Sequence, residues 1–218
     1  MKEMNEMQMR DAVIFDLDGT LWDATGCSSD IWNRVFDKYD EVTFCMTREI
    51  SSGLMGMTME EIGDCLFPEL PVSKRRAITD EFGVEEVAYL RENGAVLYDG
   101  MPDAIKELSE KYDLYIVSNC QDGYVPAFLH AHDMEQFFKD IEMSGRTGMD
   151  KGRNIKLLME RNGINNALYV GDTAGDEKAA RFAGIPFIWA KYGFGQADIP
   201  DAVISDITEL TECVKGFF

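Results

Sequence analysis

Val13-Ile14-Phe15-Asp16-Leu17-Asp18-Gly19-Thr20-Leu21 is the stretch on which the reading of this chain turns. Its β-branched and aromatic opening reads as a short buried strand. The strand runs into two acids one residue apart. Side chains of an extended chain alternate between faces, so Asp16 and Asp18 leave the strand on one side and Leu17 on the other. Gly19 allows a sharp turn and a close approach of backbone to a ligand. Taken alone, a strand ending in Asp and Gly is also an ordinary strand-to-turn signal.

Outward from this stretch, strand-like and helix-like segments alternate. Leu114-Tyr115-Ile116-Val117 ends in Ser118-Asn119, and Ala167-Leu168-Tyr169-Val170 ends in Gly171-Asp172. Ile185 to Trp189 is another strand, Ile141 and Met143 suggest a short one, and Ala202 to Ile204 reads as an edge strand. Helices are expected from Pro102, at Tyr124 to Ala131, from Lys151 to a stop at Gly163, from Glu177 to a stop at Gly184, and from Ile207 to Val214. This alternation predicts an α/β fold: a Rossmann-like parallel sheet covered on both faces. Between Trp22 and about Asn93 the texture changes. Ile31, Trp32, Val35, Phe36 and Tyr39 lie on one helical face, and Met59 begins a helix capped by Thr58. Arg75 to Tyr89 reads as one or two more helices, and no strand-period run stands out. The expected organisation is a core of residues 1–22 and 94–218 with a helical insert at 23–93. The Met55, Met57 and Met59 cluster reads either as packing between insert and core or as a flexible surface facing a substrate.

Composition narrows the function. The chain has 218 residues, 45% of them hydrophobic, and 40 acids against 21 bases give a net charge of −19. Such a chain repels nucleic acid and anionic membranes. If its substrate is an anion, a local cation or metal must overcome that field. The five cysteines carry no metal spacing, which points to reduced thiols in a cytoplasmic protein. His130 and His132 do not share a helical face and suit surface or packing roles. Met1 to Arg10 reads as a frayed polar tail without the apolar run of a secretion signal, and no run reaches membrane-spanning length.

Parallel strands bring their C-terminal ends to one edge, so Asp16, Asp18, Ser118, Asn119 and Asp172 are expected to converge. Asp176 adds a fourth acid. So many carboxylates cannot stay ionised together unpaired, and a hard divalent cation such as magnesium is the natural counter-charge. Lys151, just before a helix, supplies another.

These residues resemble the motifs of the haloacid dehalogenase-like hydrolase superfamily, closest to its phosphoglycolate phosphatase-like branch. Asp16-Leu17-Asp18-Gly19-Thr20-Leu21 is similar to the first motif, Ser118-Asn119 to the second, Lys151 to the third, and Gly171-Asp172-Thr173 through Asp176 to the fourth. The resemblance implies a phosphatase acting on a small phosphorylated metabolite. Asp16 would be the nucleophile, Asp18 the general acid and base, and Lys151 the charge neutraliser. Ser118, Asn119 and the Gly19 and Thr20 backbone would hold the phosphoryl oxygens. Magnesium would sit on Asp16, Asp18 through its carbonyl, and Asp172, with Asp176 behind. The insert would be a helical cap, with Asp23 and Arg48 as candidate substrate or hinge contacts, although an Arg on a helix also suits a solvated face. The sequence departs from the family's common pattern at Gly152, where Pro is frequent, and at Cys120. Cys120 is expected to be buried packing rather than a redox-sensitive thiol. A phosphomutase is the alternative on this scaffold, disfavoured by Gly171 where mutases of the branch carry Glu. A dehalogenase would lack Asp18, and a phosphonate hydrolase needs a cap lysine for which Lys38 and Lys74 offer no context. A non-catalytic binding protein would be expected to have lost a motif.

Overall fold

Residues 10–218 are described by the computed structural model; the expected N-terminal tail lies outside the described residues but for Arg10. The elements in chain order are β1 (Ala12–Phe15), β2 (Trp22–Asp23), α1 (Thr25–Phe36), α2 (Arg48–Gly53), α3 (Met59–Leu66), α4 (Val72–Asn93), β3 (Val96–Leu97), α5 (Met101–Ser109), β4 (Asp113–Ser118), α6 (Tyr124–Ala131), β5 (Phe138–Met143), α7 (Ser144–Thr147), α8 (Lys151–Asn162), β6 (Ala167–Gly171), α9 (Ala174–Ala183), β7 (Phe187–Ala190), β8 (Ala202–Ile204) and α10 (Leu210–Cys213).

All four residues of β1 are fully buried because β1 lies inside a six-stranded sheet of order β5-β4-β1-β6-β7-β8. Every pairing in it is parallel. A parallel strand covered on both faces needs apolar residues at every position, as Ala12-Val13-Ile14-Phe15 supplies. Alternate residues serve opposite faces. Val13 and Phe15 pack with α5, α6 and α10, whereas Ile14 packs with α8 and α9. After β5 the chain crosses from one side of β1 to the other to form β6. The carboxyl end of β1 therefore faces the crevice where strand order reverses.

The α1 to α4 stretch has its own apolar cluster, in which Trp32 stacks on Phe82 at 3.7 Å and Ile31, Val35, Ile62 and Ile78 pack around them. The Thr58 cap is present as a capping box with Glu61. Where one or two helices are expected after Arg75, the structure has a single helix of 22 residues, α4. Gly83 does not break it, because that position sits against Gln121, where a Cβ would come within 3.3 Å of the side chain. The β2–β3 pair is a second finding the periodicity does not anticipate. It is an antiparallel ribbon of two residues per strand, too short to show alternation, and it ties together the two ends of the helical stretch. The last helix is broken into short 3-10 and α turns over Ile207–Gly216. Pro126 falls in the first turn of α6, where its missing N–H is harmless. His132 packs edge-on against Trp22, and its Nε2 accepts a hydrogen bond from the Ala95 N–H. No helix among the described residues is long and apolar enough to cross a membrane.

Candidate active site

The turn after β1 is built by Gly19. Its φ of +78° is closed to most side chains, and a Cβ there would stand 2.2 Å from Asp172 Oδ2. The glycine thus lets the β1 loop close onto the loop after β6. Within the turn the Gly19 N–H donates to the Trp22 carbonyl and the Thr20 N–H to the Leu17 carbonyl. Both donors expected to face an anion are therefore engaged in the turn. The Leu17 and Asp18 N–H groups have no backbone acceptor among the described residues.

Asp16, Asp172 and Asp176 each present a carboxylate oxygen, all within 4.8 Å of one another. All three are buried, and Lys151 at the start of α8 bridges two of them. Its Nζ lies 2.9 Å from Asp16 Oδ1 and 2.5 Å from Asp176 Oδ1. Asp176 is also the N3 residue of the α9 capping box, where its Oδ2 accepts from the N–H groups of Asp172 and Thr173 and from the Thr173 hydroxyl. The Phe194 N–H donates to Asp172 Oδ2 at 2.7 Å, but Asp172 Oδ1 is buried with no hydrogen-bond partner.

One ammonium among these carboxylates leaves the cluster net negative. Burial, reinforced by Asp176 and opposed by Lys151, lifts the Asp16 carboxyl to about 6. Burial with repulsion from Asp176 and Asp16 lifts Asp172 to about 8. Burial alone would lower the Lys151 ammonium, but Asp16 and Asp176 outweigh it and hold its pKa above the ordinary value. The orphaned Asp172 oxygen beside Asp16 is a hard-oxygen donor set that fits a divalent cation.

Asp18 stands apart from this cluster. Its Oδ1 accepts from Trp22 Nε1 at 2.9 Å and from the Tyr124 hydroxyl at 2.7 Å. Desolvation raises its pKa to about 8 against the lowering effect of these two hydrogen bonds, which favours the protonated carboxyl.

Ser118, buried at the end of β4, lines a cavity of about 50 Å³ with Asp16, Asp18 and Asn119. The side chain of Asn119 is occupied: Nδ2 donates to the Gly56 carbonyl at 2.8 Å, and Oδ1 accepts from Ser144. Asn119 thus ties the sheet edge to the turn after α2. Asp23 and Arg48 do not line the cavity. The Arg48 guanidinium pairs with Asp23 and Thr25 at the foot of α1, so its charge is turned to the chain itself. Met55, Met57 and Met59 line the cavity, and Met57 and Met59 also pack on the cluster inside the helical stretch. Cys120, expected to be buried packing, is instead half-buried and lines the cavity, and desolvation holds its thiol above the ordinary pKa. A larger groove of about 760 Å³ opens between α3–α4 and the loops after β4 and β5, away from Asp16 and Asp18.

Sequence reading missed Trp22, Tyr124, Gln121 and Glu86. Tyr124 and Gln121 are side chains whose partners lie far away in the chain, whereas Trp22 donates to Asp18 only four residues before it. Glu86 carried a legible signal, because Ile78, Phe82, Glu86 and Leu90 recur every fourth residue on the buried face of α4.

Residues 13–190 match a family model described as haloacid dehalogenase-like hydrolase. A phosphoglycolate phosphatase of Synechococcus elongatus is 26% identical over 231 residues, spanning 93% of this chain and 96% of that protein. Another, from Shigella boydii, is 27% identical and spans 95% of this chain and 93% of its own. The fold is shared with a haloacid dehalogenase-like family hydrolase from Streptococcus pneumoniae (TM-score 0.79, 22% identity, 94% of this chain and 98% of that one). It is shared too with CbbY from Rhodobacter sphaeroides, solved in complex with phosphate (TM-score 0.76, 21% identity, 93% and 96%).

Proposed function

The chain belongs to the haloacid dehalogenase-like hydrolases, and on that premise we propose that it is a magnesium-dependent phosphatase of small phosphomonoesters working through an aspartyl-phosphate on Asp16. One observation carries the reading: the Lys151-bridged carboxylates of Asp16 and Asp176, with the unpartnered Asp172 oxygen beside them, sit next to an Asp18 held separately by Trp22 and Tyr124.

Asp16 attacks phosphorus with a carboxylate oxygen, and the bond to the leaving alcohol oxygen breaks. A carboxylate is a weak base and needs no deprotonation to act as nucleophile once Lys151 offsets its neighbours. Asp18 gives its proton to the departing alkoxide, which leaves as the alcohol. The resulting Asp18 carboxylate then takes a proton from water, the water oxygen attacks phosphorus, and the Asp16 carboxylate is released with inorganic phosphate. Ser118 and the Leu17 and Asp18 N–H groups donate to the phosphoryl oxygens. Magnesium would be held by Asp16, the Asp18 carbonyl and Asp172, with Asp176 behind, and supplies positive charge at the phosphoryl oxygens. Helices α1 to α4 act as a cap that excludes water, inserted into a core formed by residues 1–22 and 94–218.

Phosphate release from a panel of small esters, with and without magnesium, tests this. Release that needs the metal and disappears in Asp16→Asn is the expected outcome. A folded, metal-supplied protein that releases no phosphate from any ester, or that only isomerises sugar phosphates as a mutase would, sinks it. The relatives' names make phosphoglycolate the first ester to try.

A further inference from the structure

The helical side of the cavity is supplied by α1 to α4, and it carries one acid. Glu86 is 3% exposed and lines the cavity. Its carboxylate accepts the Ser28 hydroxyl on one oxygen and Gln121 Nε2, at 2.8 Å, on the other. Ser51, on α2, lines the same space, and its hydroxyl is buried with no hydrogen-bond partner. A buried hydroxyl without a partner is unfavourable by itself and fits a site that a ligand completes. The rest of that wall is apolar, from Trp32, Leu54 and Phe82. Among the described residues no Lys, Arg or His lines the cavity. Lys151 is bound to Asp16 and Asp176, and Arg48 to Asp23.

A leaving group bearing a carboxylate would enter this space opposite Glu86 with no cation to receive it. Like charges at close range in a buried site are strongly repulsive. A hydroxyl group is the better match, because it gives a proton to one neighbour and takes one from the other. Glu86 can play both parts, since burial lifts its carboxyl to about 7 and leaves it divided between donor and acceptor forms near neutrality. An ammonium group would itself stabilise the Glu86 carboxylate, but it only donates and leaves the Ser51 hydroxyl proton without an acceptor.

We propose that the leaving group is a small uncharged polyol held by Glu86 and Ser51, so that the protein hydrolyses hydroxylated phosphomonoesters and rejects those of hydroxycarboxylates. This deepens the phosphatase reading and rests on it. It also separates this chain from what the names of its phosphoglycolate phosphatase relatives suggest.

The test compares kcat/KM for glycerol 3-phosphate, phosphoethanolamine and phosphoglycolate in wild type and Glu86→Gln. Acetyl phosphate is added as an activated acyl phosphate, a mixed anhydride whose acetate departs without a proton donor and demands little of the leaving-group pocket. The isosteric Gln keeps both hydrogen-bonded neighbours, and a melting curve confirms that the variant is folded. Wild type is expected to favour glycerol 3-phosphate over phosphoglycolate by about tenfold or more, and Glu86→Gln to shrink that ratio by removing the negative charge. A wild type that prefers phosphoglycolate or phosphoethanolamine overturns the proposal. So does a ratio that a folded Glu86→Gln leaves unchanged. Failure to hydrolyse even acetyl phosphate with magnesium present has a different signature: it removes the phosphatase reading itself, and the substrate class with it.

Discussion

Asp16 and Asp18 lie two residues apart in one loop, yet their surroundings divide their work. Asp16 faces Lys151, whereas Asp18 faces Tyr124 and Trp22 and retains its proton. Asp16→Asn removes the nucleophile and is expected to abolish turnover. Asp18→Asn keeps the nucleophile but not the proton donor and is expected to lower kcat by about 10²–10⁴-fold, read in a steady-state assay with an ordinary alkyl ester. Glu86 allows a prediction about stability that does not depend on activity. Burial raises its pKa from 4.5 to about 7, so the folded state holds a proton that the unfolded chain has released between those values. Stability from this group is therefore present below about 4.5 and lost as pH rises through about 7. Glu86→Gln escapes that loss. Denaturant titrations should show its advantage over wild type growing from pH 5 to 8, by something of order 1–3 kcal/mol, and levelling above. A flat difference across that range would mean that Glu86 is already ionised in the fold.

Single elements differ in how plainly their boundaries are written. The Thr58 and Glu61 capping box is local, visible in the sequence and present in the fold. Thr58→Ala should destabilise the protein by about 1 kcal/mol in urea unfolding while leaving the cavity wall of α4 unchanged. β1 is equally plain, because a strand buried on both faces must be apolar throughout. α4 was less so, since Arg75 to Tyr89 reads as one helix or two, and the structure runs a single helix through Gly83. The β2–β3 ribbon was invisible: two residues per strand carry no period, and Trp22 and Leu97 find each other only through the rest of the fold. Asn119 shows the same limit at an element's end. Its place after β4 was legible, but its bond to the Gly56 carbonyl joins segments 63 residues apart.

For the whole molecule, the crowding of buried acids at the sheet's carboxyl edge predicts a response to metal. Magnesium should raise the melting temperature of wild type, because binding to the folded state alone stabilises it by mass action. Asp172→Asn should lose that response and melt higher than wild type when a chelator is present, since one repelling carboxylate is gone. Equal melting curves with and without magnesium would argue against a cation on Asp16 and Asp172. The sequence by itself determined the parallel α/β core, the helical character of the stretch after the first motif, and the convergence of Asp16, Asp18, Ser118, Lys151, Asp172 and Asp176. Periodicity and strand ends are local, and parallel pairing leaves those ends no other edge to meet at. Only the tertiary structure decided how each group is held. It turned Gly19 and Thr20 inward, gave Arg48 to Asp23, set Asp18 on Tyr124, and brought Glu86 and Ser51 over the site. Those choices are made by packing between segments far apart in the chain, where burial and the nearest partner, not residue type, set a carboxylate's charge.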